Sequence, residues 1–107
     1  MDWSERIRDR TLLEILIMEY PVHKSADDLV SLFAKRKVKC KCIKNAKSMG
    51  QILRRFDLDC QLNVVQLKDG FVSTCRYMKI YRLKKKHGEL WKRATEITED
   101  MLNTVLK

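Results

Sequence analysis

NAKSMGQILRRFDL, residues 45–58, reads as a short helix with two unlike sides. At about 100° per residue, Ala46, Met49, Leu53 and Phe56 share one side. Lys44, Lys47, Ser48, Gln51 and Arg55 share the opposite side, with Arg54 at its margin. Asn45 stands where a cap would accept the first free N–H groups, so the spacing predicts a helix over residues 46–56. Its outward face carries cations, a hydroxyl and an amide, and no carboxylate. Gly50 lies at the boundary of the two sides, where the lack of a side chain would let a neighbouring helix approach closely.

Two helices are expected before it. Over residues 4–20, Leu13, Leu16, Ile17 and Tyr20 recur at helical spacing, and Leu12, Ile15 and Met18 widen the apolar face. A helix this apolar belongs at the centre of a small core, and Pro21 ends it. Ser25 then reads as an N-cap, with Asp27 and Asp28 in the first turn, and Ala26, Leu29, Val30 and Phe33 form one face of a helix ending near Arg36. Residues 37–42, KVKCKC, alternate strictly, which predicts a short strand with Val38, Cys40 and Cys42 on one side and lysines on the other.

After it the pattern turns to strands. CQLNVVQLK (60–68) and RYMKIYRLK (76–84) are rich in Val, Ile and Tyr. Between them either Asp69-Gly70 makes a tight hairpin turn or residues 68–75 form a longer loop. Residues 89–107 read as helical, with a stripe of Leu90, Ala94, Ile97, Met101 and Val105, and a place to restart at Thr98-Glu99-Asp100. The stripe, with Trp91 beside it, would either close the core or pair with a second copy as a homodimer. The organisation expected is a main domain over 1–86 and a C-terminal helix over 87–107.

The net charge is +9, and its placement says more than its size. Residues 29–56 hold nine basic residues and no acidic one, and residues 71–88 hold six more, again with no acid. The rest of the chain is slightly acidic. Two segregated cationic blocks repel one another in a small fold unless a polyanion neutralises them, so nucleic acid is the expected partner.

The order helix, helix, strand, helix, hairpin, helix, with charge on the third helix and the hairpin, resembles a winged-helix domain. The residues Met49-Gly50, Leu53-Arg54-Arg55 and Phe56 are similar to the recognition-helix segment of winged-helix domains in phage and plasmid primase–helicase proteins. YMKIYRL (77–83) resembles their closing wing strand. The resemblance spans residues 10–83 and departs in the long gap between the second and third helices. It implies an α+β, mostly helical fold: a three-helix core, a two- or three-stranded sheet and an extra C-terminal helix. It also implies double-stranded DNA as the partner, with transcription regulation or replication as the setting; RNA stays open. Lys44, Lys47, Ser48, Gln51 and Arg55 would face the major groove, with Arg54 at the margin: Gln51 suits adenine, Arg55 guanine, and Lys44 and Lys47 phosphates. Lys68, Arg76 and Lys79 would lie on the wing, and Lys84, Lys85 and Lys86 would follow the backbone. The alternative is a winged helix that docks an acidic protein.

Other chemistries have weaker signals. Cys40, Cys42, Cys60 and Cys75 are spaced C-x-C-x17-C-x14-C, unlike a zinc knuckle, so buried free thiols are the expectation, with no metal and no cofactor. His23 and His87 are isolated and no catalytic set is apparent, so no enzyme is expected. The longest apolar run is interrupted by Glu14, far short of a membrane span, and the N-terminus lacks a signal-peptide pattern. An intracellular location is expected, in cytoplasm, nucleoid or nucleus.

Overall fold

Helix α1 (Trp3–Glu19) supplies more buried apolar side chains to the core than any other helix. In the computed structural model, which describes residues 3–36, 43–70 and 72–107 and the side chains outside 3–4, 65–69 and 72–76, Leu12, Leu13, Ile15 and Leu16 are almost wholly buried. Each such side chain contributes about 1.5–3 kcal/mol over leaving it in water, an upper figure because the unfolded chain is partly collapsed. The remaining elements are β1 (Lys24–Ser25), α2 (Ala26–Ala34), α3 (Ala46–Leu53), β2 (Leu58–Asp69), β3 (Val72–Leu83), α4 (Lys85–Trp91) and α5 (Glu99–Val105). The fold is α+β and mostly helical, with five helices and one three-stranded antiparallel sheet among the described residues.

Local chemistry sets the starts of α2 and α3. The Ser25 side chain accepts from the Asp28 N–H, and the Asp28 carboxylate accepts in return from the Ser25 N–H. Asn45 and Ser48 do the same for α3. Each reciprocal pair satisfies two backbone donors that a helix start otherwise leaves open. From α2, Leu29 and Phe33 enter the core; from α3, Met49, Ile52 and Leu53 do. Helix α3 ends at Leu53, three residues before the expected end. Phe56, 1% exposed, reaches the core from the turn that follows. Gly50 does not sit under a neighbouring helix: a side-chain atom built there would meet nothing within 4 Å.

The sheet order is β1-β3-β2. β2 and β3 pair along their whole lengths, from Leu58↔Leu83 to Asp69↔Val72, and Gly70 has the left-handed φ of 63° that glycine adopts freely. The tight turn is therefore the one formed, one residue later than Asp69-Gly70 at its centre. Twelve-residue strands span roughly 40 Å, most of the molecule's 51 Å length. β1, which the sequence did not signal, adds Lys24 and Ser25 opposite Tyr81 and Ile80. The strand expected over residues 37–42 lies outside the described residues.

The C-terminal segment is two short helices, not one. α4 begins inside the lysine run and ends at Trp91; α5 restarts after Thr98, whose side chain accepts from the Met101 N–H. Trp91, Met101, Leu102 and Val105 join the same buried cluster as α1 and α3. Arg6 pairs with Glu99, Arg10 donates to the Ile97 carbonyl, and Phe56 and Leu106 form a single antiparallel bridge. This segment thus closes the core, although Leu90, on the expected stripe, is 74% exposed.

Candidate nucleic-acid interface

The base of the hairpin and the outer side of α3 enclose a groove of about 460 Å³. Lys47, Gly50, Gln51 and Arg54 line it from α3 and its C-cap, and Leu58, Cys60, Lys79 and Tyr81 from the hairpin. The helix contributes positions 47, 51 and 54 because these fall on one side at helical spacing. The hairpin contributes 58, 60, 79 and 81 because strand positions two apart share a face and Cys60 lies opposite Tyr81. Lys107 completes the wall. It is held there by the Phe56↔Leu106 bridge and by its own N–H, which donates to the Arg55 carbonyl at 2.8 Å.

Among the described residues, no Asp or Glu side chain lines the groove. Lys47, Gln51, Arg54 and Lys79 are all exposed, so their heads are free to turn toward an anion without a burial penalty. Tyr81, half-buried, has its hydroxyl pKa pushed up, first by burial and then by the neighbouring Cys60, with Arg54 opposing. It is therefore a neutral ring with a donor at its tip at physiological pH.

Four of the expected contact residues, Lys47, Gln51, Arg54 and Lys79, come together here. The others are placed differently. Ser48 spends its hydroxyl on the cap: it accepts from the N–H groups of Lys44 and Asn45 and donates to the Asn45 carbonyl. Lys44 and Arg55 are exposed outside the groove lining, while Arg54, at the margin of the expected face, is inside it. The side chains of Lys68 and Arg76 lie outside the described residues. Lys84, Lys85 and Lys86 do not trail behind the hairpin but open α4. Lys84 pairs with Asp57 at 2.9 Å, and that bond holds the Asp57 carboxyl below its usual range. Lys85 and Lys86 are exposed.

Two residues of the region, Tyr81 and Lys107, were not singled out from sequence. Tyr81 could have been, since Tyr77-x-Lys79-x-Tyr81 shows period two. Lys107 could not, because only the long-range bridge places it. Cys60 was expected as a buried thiol and is instead exposed at the groove edge. Cys40 and Cys42, and the side chain of Cys75, lie outside the described residues; among those described, no cluster of His, Cys, Asp and Glu could hold a metal ion.

His87 is buried and stacks on Trp91, ring centroids 4.8 Å apart. Burial, then Lys86, lowers its pKa, and burial and Arg82 do the same for His23, so both rings stay neutral at physiological pH. Among the described residues, no helix is long and apolar enough to cross a membrane. Comparison of the chain with family models, with curated proteins and with solved structures finds no match.

Proposed function

We propose that the chain binds double-stranded DNA as a winged helix, with α3 entering the major groove and the β2–β3 hairpin as the wing beside it. The observation that carries this reading is the groove between α3 and the hairpin, which presents Lys47, Gln51, Arg54, Lys79 and Lys107 with no carboxylate side chain among them. The order of elements supports it: three helices, with the hairpin leaving directly from the third and a short strand between the first two tying the sheet to the bundle. Gln51 suits a bidentate contact to adenine, and Arg54 a guanine or a phosphate; Lys47 and Lys79 suit phosphates.

The test is binding of a labelled random duplex, by gel shift or anisotropy, across salt concentrations. If about six phosphates are neutralised, affinity should fall about 10³-fold between roughly 50 and 200 mM salt. Absence of binding at low salt would overturn the reading and leave an acidic protein as the partner for the same surface.

A further inference from the structure

The face of the hairpin that forms the groove wall does not stop at the groove. Positions opposite one another in an antiparallel pair share a face, so Leu62 and Val64 on β2 lie on the same side as Tyr77, Lys79 and Tyr81 on β3. Beyond the groove this face is apolar and open: Leu62 is 66%, Val64 55% and Tyr77 69% exposed. The other side of the sheet is anchored at the base of the hairpin, where Arg82 pairs with Asp59 and lies over the Tyr20 ring. Proteins seldom leave several large apolar side chains together in water without use.

An occupant of this face must meet apolar, aromatic surface at one end and cations at the other. A second copy could match the apolar part, but the described side chains of this face include no carboxylate to meet the cations. A duplex offers phosphates and base edges, but its base faces are stacked inside. An unpaired nucleotide offers both a charged backbone and a free aromatic face. Tyr77 and Tyr81 are about 13 Å apart along the strand, so each ring would take a different base.

We infer that the Leu62–Val64–Tyr77 face holds unpaired DNA leaving a duplex bound at α3, so that the chain prefers a duplex with a single-stranded extension to a blunt one. The inference rests on the duplex-binding reading above.

Anisotropy titrations test it with three probes: a blunt random duplex, the same duplex with an unpaired thymidine extension, and the same duplex with an abasic extension. The thymidine extension should tighten binding about tenfold, while the abasic one, which keeps the charge but has no base to stack, should bind like the blunt duplex. Tyr77→Ala should remove the gain without changing blunt-duplex affinity, and Tyr77→Phe should keep it, since stacking needs the ring and not the hydroxyl. Leu62→Ser, across the same face, should reduce the gain and is a second variant should Tyr77→Ala perturb the hairpin. Equal affinity for blunt and extended duplexes, an abasic extension as good as thymidine, or a full gain in both Tyr77→Ala and Leu62→Ser would each overturn the inference while leaving duplex binding in place. No binding to the blunt duplex at low salt would instead remove the reading on which it rests.

Discussion

Gly88, in the middle of α4, is where a single atom decides stability. A side-chain carbon there would overlap the Tyr20 ring. That ring has little room to give way: it is 7% exposed, its hydroxyl donates to Glu89 at 3.1 Å, and the Arg82 guanidinium lies 5.6 Å from its centre. Alanine is otherwise the better helix former by about 0.8–1 kcal/mol, so two effects of opposite sign compete at this position. The overlap should win, and Gly88→Ala should destabilise by about 1–3 kcal/mol in urea unfolding. In a Tyr20→Ala background the overlap is gone, and the same substitution should then be neutral or stabilising. A double-mutant cycle isolates the coupling; equal cost in both backgrounds would mean that the glycine is needed for some other reason.

At the scale of elements, what could be read from sequence divides by range. The caps of α2, α3 and α5 were legible because Ser25 with Asp28, Asn45 with Ser48, and Thr98 with Met101 act within three residues of each other. The β2 and β3 strands were legible from their composition. β1 was not: two residues show no periodicity, and Lys24 and Ser25 are strand only because Tyr81 and Ile80 come alongside them. The split of the C-terminal helix was half legible. Thr98 signalled a start, but nothing near Trp91 signalled a stop. The short range of the α3 cap also makes it testable. With only eight residues, α3 depends on its first turn, and Asn45→Ala should cost about 1 kcal/mol of global stability. Because Lys47 lies in that turn and Gln51 in the one that builds on it, duplex affinity should fall as well, at a temperature where circular dichroism still shows a folded chain. A variant that loses stability and keeps full affinity would mean that α3 does not carry the contact.

At the scale of the whole molecule, two groups of exposed cations differ in the chemistry available to them. Those of the groove surround an amide, Gln51, that can read a base edge. Lys85 and Lys86, at the start of α4, are exposed and lie outside the groove lining that holds Gln51, and Lys84 is held by Asp57. The two sets should therefore fail differently. Lys85→Ala with Lys86→Ala should weaken binding to all duplexes alike and lower the salt slope by about two, one for each phosphate left without its lysine. Gln51→Ala changes no charge and should leave the slope alone. It should weaken a preferred duplex, found by selection from random sequence, by about 1–3 kcal/mol and generic duplex much less, because an amide–adenine pair exists only at the right base. If selection yields no preferred sequence, Gln51 reads nothing and the groove is a phosphate clamp. If Gln51→Ala also matches the parent on every duplex while the α4 lysines still matter, α3 lies outside the major groove and the hairpin must supply the contact.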